Sequence, residues 1–293
     1  MKKRILYACL LGLIVALSLG LCAAESADTA GADLRIMSFN IMHPDWSRVP
    51  VKGRDEIVSE ILRAYRPDVA ALQEAGAKWH KALKPLLVDT GLYAQACRQC
   101  NAEGFIYCCT TFLYDPGSLR LVEETVLDLD PRDAARVLSA AVFERISDGA
   151  RFVVTNTHPA PREQPEDHQR NMAGLMALIS DLRMRYAGLP LIMAGDFNTP
   201  EQDGYYPELM ERAGVRDAKY EADTLVRGCS TFFGWGSAPD PGSADLCVDH
   251  IFVSPGVGVR RFEAVIGHGV EQASDHIPIV ADIYFGPDQR TGR

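Results

Sequence analysis

Short apolar segments that end in acidic, amide or imidazole side chains recur along this chain, and they constrain its fold more than any other feature. The clearest is LIMAGDFNTP, in which an apolar run leads directly to Asp196, Asn198 and Thr199. A carboxylate and an amide at the end of a buried strand are costly unless they form hydrogen bonds, bind a ligand or take part in chemistry. The segment therefore predicts a core strand with a functional position at its end.

Five more strand-like segments carry a polar side chain at one edge. They are SFN, VAALQE, VVTNTH, DHIFV and the start of SDHIPIV, and their polar residues are Asn40, Glu74, His158, Asp249, Asp275 and His276. Taken alone, each residue has an ordinary alternative role as a turn former, a helix cap or a hydrogen-bonded core residue. Together they contain the groups for metal-assisted cleavage of a phosphate ester, because hard cations such as Mg²⁺ bind carboxylate and amide oxygens.

The spacing of apolar residues predicts more strands than helices. Apolar residues at helical spacing predict one helix that stops before Pro67 and a long helix from Gln164 to Tyr186. The turn signals PGS and SDG separate further strands, and hairpin-like neighbours favour antiparallel pairing. We therefore predict an α/β fold in which two packed, largely antiparallel sheets are flanked by helices.

Composition and length indicate one large domain with a full core. The chain has 293 residues, of which 47% are hydrophobic and 24% are charged, which is typical of a globular protein. We place the domain at residues 34–285, between a signal segment at 1–24 with a short linker at 25–33 and a C-terminal tail at 286–293.

The N-terminus predicts export. The basic start MKKR is followed by a long apolar run and by the small residues of CAAES, the order found in secretory signals, and we place cleavage near Ala24. An uncleaved membrane anchor is an alternative because the apolar run is long. Lipidation at Cys22 is another, although Leu21 stands where a small residue is usual. The mature chain is thus expected to be periplasmic, secreted or lipid-anchored, without a transmembrane domain.

The charge balance argues against a general attraction to polyanions. Removal of the first 24 residues takes away three basic and no acidic side chains, so the formal net charge moves from −9 to −12. No basic stripe of the kind that marks nucleic-acid grooves is visible in the sequence. Phosphate chemistry in this chain must therefore rely on local charge, such as a bound metal ion.

Six cysteines remain after the signal segment, and an even number in an exported chain favours disulfide bonds. Cys97-x-x-Cys100 and Cys108-Cys109 suggest a stapled loop, for which a zinc knuckle is the alternative. Cys229 and Cys247 are predicted to form a separate bridge, although spacing alone does not establish the connectivity.

The motifs SFN, LQE, NTH, GDFN, DHIFV and SDH occur in an order that resembles the endonuclease/exonuclease/phosphatase superfamily, which has the DNase I-like fold. The resemblance extends from about Leu34 to Phe285 and implies a four-layer α/β sandwich with its site at one rim. It also implies that Glu74 is the chief metal ligand, with Asn40 and Asp275 at the same or a second metal position. The implied cofactor is Mg²⁺, with Mn²⁺ as an alternative.

The same resemblance implies catalytic roles for five residues. Asp196 and Asn198 would position the attacking water and bind the scissile phosphate, and Asp249 would orient His276. His158 would be a second imidazole, available to the leaving group or to a phosphoryl oxygen. A carboxylate that holds an imidazole in one tautomer and favours its charged form makes physical sense in such a pair.

Three weaker predictions concern substrate binding. Arg136 and Arg170 resemble family positions that support the site or the substrate phosphate, since arginine suits bidentate phosphate contacts. A salt bridge within the protein is the alternative for both. The segment TFFGWG resembles an aromatic loop near the substrate pocket, and we assign Trp235 to substrate contact.

These observations favour an exported, divalent-metal-dependent phosphoesterase that acts on a small or lipid-like phosphate ester by water attack. A secreted nuclease acting on DNA or RNA is the alternative, because both activities occur on this fold. A non-catalytic binding protein is a third reading, but it would be expected to have lost some of the motif residues, and all are present. No protein partner is indicated.

Overall fold

A computed structural model describes residues 33–98, 109–133 and 136–286. The predicted signal segment, all of the linker except residue 33, and the tail beyond residue 286 lie outside the described residues, as do Cys100 and Cys108. Within the described ranges, none of the helices combines the length and the apolar character needed to cross a membrane.

The described residues form thirteen strands. Their bounds are β1 Leu34–Asn40, β2 Val69–Gln73, β3 Ala94–Ala96, β4 Thr111–Tyr114, β5 Leu119–Asp128, β6 Val137–Arg145, β7 Arg151–Thr157, β8 Leu191–Asp196, β9 Arg216–Asp217, β10 Ala222–Arg227, β11 Asp249–Val253, β12 Val257–Ala264 and β13 Ile279–Phe285. The α-helices are α1 Pro44–Ser47, α2 Arg54–Tyr65, α3 Ala77–Leu83, α4 Pro165–Arg185, α5 Tyr205–Ala213, α6 Ala218–Glu221 and α7 Val270–Ala273, and a π-helical turn, Lys84–Val88, follows α3.

The strands form two mixed sheets. The first has the order β10-β12-β13-β1-β2-β4-β3 and the second has the order β5-β6-β7-β8-β11-β9. Among the described strands, the parallel pairs are β1 with β2, β7 with β8 and β10 with β12, and the other pairs are antiparallel. The largely antiparallel sheets predicted from the sequence are therefore confirmed.

Alternation along the strands explains why the central strands of each sheet, such as β1 and β8, are buried on both faces. In β1, Leu34 and Ile36 belong to the core between the two sheets, whereas Met37 and Phe39 pack with the apolar side chains of α2 and α3. The outer face of the second sheet is covered in the same way by α4 and α5. The result is a helix–sheet–sheet–helix sandwich, which confirms the predicted fold class.

Strand register brings the polar strand ends to one edge of the sandwich. β1 runs parallel to β2 with Asn40 opposite Gln73, so Asn40 lies beside Glu74. β11 runs antiparallel to β8 with Asp249 directly opposite Asp196. Gly195 permits this packing, because a Cβ atom there would lie 2.5 Å from the carbonyl oxygen of Thr157 on β7. Residues that are far apart in the chain thus meet through backbone pairing.

The bridge predicted between Cys229 and Cys247 is not formed in this structure, where both residues are buried thiols. Cys247 Sγ donates to the carbonyl oxygen of Cys229 at 3.1 Å and lies 3.7 Å from Lys219 Nζ. Burial raises the pKa of Cys247 to about 11, so its thiol is protonated at neutral pH. The stapled-loop prediction stays a prediction, since Cys100 and Cys108 are outside the described residues.

Candidate active site

Asn40 joins the two sheets at the centre of the polar edge. Its Nδ2 donates to Glu74 Oε1 and to Asp196 Oδ2, both at 3.0 Å, and its Oδ1 accepts from the backbone N–H of Met42 at 2.9 Å. The side chain therefore orients one carboxylate from each sheet. The metal-ligand role that the family resemblance implies for Asn40 stays a prediction, because its amide oxygen is engaged by the backbone here.

Glu74 follows β2 in a left-handed backbone conformation, with φ of 60°, which is uncommon for a residue with a side chain. Its Oε2 accepts the backbone N–H of His43. His43 lies against Gly76, where a Cβ atom would be 2.5 Å from His43 Nε2. Asn40 and His43 therefore each hold one oxygen of the Glu74 carboxylate. A strained backbone at such a position is typical of a functional site.

Two histidines, His158 and His276, lie near the carboxylate of Asp196. His158 Nε2 is 3.4 Å from Asp196 Oδ2, and His276 Nε2 is 3.7 Å from the same oxygen. His276 Nδ1 is 2.8 Å from Asp249 Oδ2, so the predicted carboxylate–imidazole pair is present as a direct contact. Both imidazoles are buried, with 6% and 5% of their residue surface exposed.

The two imidazoles are in opposite charge states. Burial disfavours the charged form of His276, but the carboxylates of Asp249 and Asp196 outweigh it and raise the pKa of His276 to about 10. Burial, together with the positive charges of Arg136 and His276, holds the pKa of His158 well below its usual value. At neutral pH the site therefore contains one imidazolium and one neutral imidazole.

The carboxylates of this edge suit a divalent cation. Burial raises the pKa of Asp196 and of Asp275, and for Asp275 the nearby negative charge of Glu74 adds to the effect. Their negative charge is thus only partly compensated by the neighbouring positive groups. A hard divalent ion bound by carboxylate oxygens would compensate it, and the donor set fits such an ion. Asp196, Asp249 and His276 each place one possible ligand atom within 4.8 Å of the others, and the roles of Glu74 and Asp275 as metal ligands stay predictions.

These side chains form the floor of a cleft of about 440 Å³. Its lining comprises Trp46, Glu74, Arg136, His158, Pro161, Arg162, Glu163, Asp196, Asn198, Pro200, Phe232, Leu246, Val248, Asp275 and His276. Most of the predicted site residues are in this lining, while Asn40 and Asp249 lie behind it and hold Glu74, Asp196 and His276 in place. A polar floor with partly apolar walls is the ordinary form of a small-ligand site.

Asn198 and Arg136 connect the loops of the cleft through hydrogen bonds. The backbone of Asn198 has a left-handed conformation, with φ of 50°. Its N–H donates to Asp196 Oδ1 at 2.9 Å, and its side-chain Nδ2 donates to the carbonyl oxygen of Pro159 at 3.0 Å. Arg136 Nη1 donates to the carbonyl oxygens of His158 and Pro159 at 3.2 and 3.3 Å. Arg136 is in the lining of the cleft, and its Nε also lies 4.0 Å from Asp133 Oδ2, so its contact with the substrate stays a prediction.

Two weaker predictions do not match the geometry. Arg170 is absent from the cleft lining among the described residues; its guanidinium instead contacts three carboxylates, those of Asp130, Asp167 and Glu166. The salt-bridge alternative therefore accounts for Arg170. Trp235 is also absent from the cleft lining among the described residues, and its ring lies over Arg54. Phe232 of the same loop lines the cleft instead.

Arg54 is an organising residue that the sequence pattern does not reveal. It begins α2 with only 4% of its surface exposed, and it donates to the carbonyl oxygens of Ala273, Ile41, Met42 and Val49 at 2.6 to 3.2 Å. Ala273 ends α7, just before Asp275, and the other three carbonyls belong to the segment that follows Asn40. One buried guanidinium thus positions two segments next to the site, and only the rare burial of an arginine would have indicated it.

We expect Arg54→Met to lower the free energy of unfolding by about 3 kcal/mol or more, because several buried carbonyl oxygens lose their donor. Chemical denaturation of the purified protein measures this. Arg54→Lys should lose less stability than Arg54→Met, since an ammonium group retains some of the donors. Equal stability of the wild type and Arg54→Met would contradict the assignment. Arg260→Met is a suitable control, because this arginine lies on β12 with 45% of its side chain exposed.

A second group of possible metal ligands, Glu201, Asp217 and His250, is already occupied by ion pairs. Lys219 Nζ lies 2.6 Å from Glu201 Oε1, and His250 contacts Asp217 Oδ2 at 3.1 Å and the carbonyl oxygen of Thr199 at 2.9 Å. Two acceptors on the two ring nitrogens require a doubly protonated ring. This network supports the chain after Asn198, and we assign no metal to it.

Comparison with solved structures supports the same architecture. Mannosyl-6-phosphatase Bt3783 of Bacteroides thetaiotaomicron is 20% identical, with a TM-score of 0.69 over 86% of this chain and 100% of that chain. The human Nocturnin catalytic domain, with bound sulfate, is 20% identical, with a TM-score of 0.68 over 86% and 93%. D. rerio TDP2, complexed with single strand DNA product, is 19% identical, with a TM-score of 0.66 over 86% and 98%. At these identities the likeness shows the fold alone.

The sandwich and its polar rim define the DNase I-like class of phosphoesterases and nucleases. The sequence profile described as the Endonuclease/Exonuclease/phosphatase family matches residues 37–276, which span all of the motifs from SFN to SDH. The chain belongs to this family, and the resemblance noted from its motifs is confirmed. Comparison with curated protein sequences gave no significant match.

Proposed function

We propose that this protein is an exported, divalent-metal-dependent hydrolase of a small or lipid-like phosphate ester. The observation that carries the proposal is the cleft of about 440 Å³, whose floor combines Glu74 and Asp275 with one neutral and one charged imidazole. Such a floor suits one phosphate group. We propose Mg²⁺ as the ion, with Mn²⁺ as a substitute, because the donors are carboxylate oxygens.

The residues of the cleft have distinct roles in this reaction. The imidazolium of His276, kept charged by Asp249, donates a hydrogen bond to a phosphoryl oxygen and stabilises the charge that develops there. The neutral imidazole of His158 has a nitrogen lone pair that can take up a proton. Asp196, held by Asn40 and the backbone N–H of Asn198, orients the water that attacks phosphorus. When bound at Glu74 and Asp275, the divalent ion supplies charge neutralisation to the phosphate.

The low positive charge of the cleft favours a small ester over a nucleic acid. Within the described part of the chain, Arg136 and Arg162 are the two lysine or arginine side chains in the lining. Nucleases that read no sequence gain much of their affinity from several such contacts. One structural neighbour has mannosyl-6-phosphatase in its name, which accords with a sugar phosphate. The complex of another neighbour with single strand DNA product keeps a nuclease as the second candidate.

Hydrolysis by the purified residue 25–293 protein tests the proposal. Sugar phosphates, phosphoinositides, sphingomyelin, RNA and plasmid DNA are assayed in parallel with Mg²⁺, with Mn²⁺ and with EDTA. We expect release of phosphate or phosphocholine that EDTA stops, with plasmid left intact. Nicking of plasmid without cleavage of small esters would replace the proposal with the nuclease alternative. Inactivity on every substrate would overturn both readings.

Export is proposed from the basic start and apolar run of residues 1–24. Expression of the full chain in a bacterial host followed by fractionation tests it. We expect a shortened chain outside the cytoplasm, and full-length protein in the cytoplasm would contradict export.

A further inference from the structure

Trp46 is a large apolar side chain that is held at the mouth of the catalytic cleft yet remains 50% exposed. It lies in α1, directly after β1, and the mechanism proposed above does not use it. Single exposed apolar residues are common on protein surfaces. The position of Trp46 in the lining of a reactive cleft, and the contacts that hold it there, separate it from that ordinary case.

The indole is fixed from one side by His43. The two rings stack with centroids 4.4 Å apart and an interplanar angle of 27°. His43 is itself fixed, because its backbone N–H donates to Glu74 and its ring lies against Gly76. We call the stacked rings of His43 and Trp46 the platform. It is preorganised, because the backbone N–H of His43 contacts Glu74, a proposed metal ligand.

The second neighbour of the indole relates it to the reacting phosphate. The guanidinium carbon of Arg136 lies 5.6 Å from the ring centroid of Trp46, and Arg136 also donates to the carbonyl oxygen of His158. Trp46 thus lies on the side of the cleft that carries His158. Phe232 lies beside His276, with ring centroids 5.0 Å apart, and extends the apolar lining from the other imidazole. A substrate whose phosphate lies between the histidines therefore has an aromatic surface within reach of its alcohol part.

We propose that Trp46 determines specificity by stacking on the alcohol part of the substrate, which we infer to be a ring with a flat apolar face. Sugars and nucleobases share this chemistry, because both present such a face to an aromatic side chain. The inference rests on the proposed function and narrows its substrate class to ring-bearing phosphate esters. Open-chain esters present no flat face to the exposed part of the indole.

Kinetics of Trp46→Ala and Trp46→Phe test the inference with a hexose 6-phosphate, a nucleoside 5′-monophosphate and glycerol 3-phosphate, all with Mg²⁺. We expect Trp46→Ala to lower kcat/KM for a ring-bearing ester by about tenfold to a hundredfold, mainly through KM, in line with the loss of one stacking contact. Activity on glycerol 3-phosphate should change less than about twofold. Trp46→Phe should restore most of the loss, since it keeps an aromatic face.

A control is Met184→Ala, which removes a large apolar side chain on α4 that is 71% exposed and lies outside the cleft lining. It should leave all three activities unchanged, and circular dichroism should show that both variants fold. A loss confined to the nucleotide would assign the platform to a base, and a loss on the hexose phosphate would assign it to a sugar. Equal loss on glycerol 3-phosphate, or no loss on any ester, would overturn the inference. An inactive wild type would instead overturn the proposed function.

Discussion

Replacement of Glu74 by glutamine is expected to lower kcat about a thousandfold or more while leaving the fold intact. The amide keeps the shape of the side chain and one acceptor oxygen, so one of the two donors, Asn40 Nδ2 or the His43 N–H, keeps its acceptor. It removes the negative charge that a divalent ion requires. Loss of Lewis-acid stabilisation removes several kcal/mol from the transition state, which corresponds to a loss of this size.

Two measurements separate this effect from a general loss of structure. Calorimetric titration with Mn²⁺ should show weaker binding to Glu74→Gln than to the wild type, and thermal unfolding without metal should be similar for both. Glu60→Gln provides the control, because Glu60 is an exposed glutamate on α2. Near wild-type kcat together with unchanged Mn²⁺ affinity would show that Glu74 is not a ligand.

Replacement of His276 by alanine is expected to lower kcat by about a hundredfold to ten-thousandfold, because a positioned acid–base or charge-stabilising group is lost. Steady-state kinetics on the best substrate measures this. His268→Ala is the control, since His268 is exposed and lies outside the lining of the cleft. Turnover of His276→Ala within about twofold of the wild type would contradict the role assigned to the imidazolium.

The pH dependence gives a second test of the same residue. The pKa of His276 is raised to about 10 by Asp249 and Asp196, so its charged form is present below that pH and is lost above it. Asp249→Asn removes the carboxylate that raises this pKa most, so the pKa of His276 should fall and the charged form should be lost at a lower pH. The alkaline limb of kcat/KM should therefore move to lower pH in Asp249→Asn. An unchanged profile would indicate that Asp249 acts only as a structural support.

The family and the main strands could be predicted because their signals are local. Strands β1, β2, β7, β8 and β11 are apolar runs with polar ends, and α2 and α4 show apolar residues at helical spacing, so that burial alone determines the pattern. Two further helices, Ala77–Leu83 and Tyr205–Ala213, are short and were not predicted. Short amphipathic segments resemble loops until a sheet is present for them to cover.

The sequence by itself determined the fold class, the family and the polar residues that meet at the rim, because motif order and strand periodicity are properties of the chain. Only the tertiary structure decided which of those residues line the cleft and which support them from behind. It placed Asn40 and Asp249 behind the cleft, engaged Arg170 in ion pairs, and put Phe232 and Trp46 in the cleft lining instead of Trp235. It also gave the two histidines opposite charge states, because burial and neighbouring charges depend on residues that are far apart in the chain.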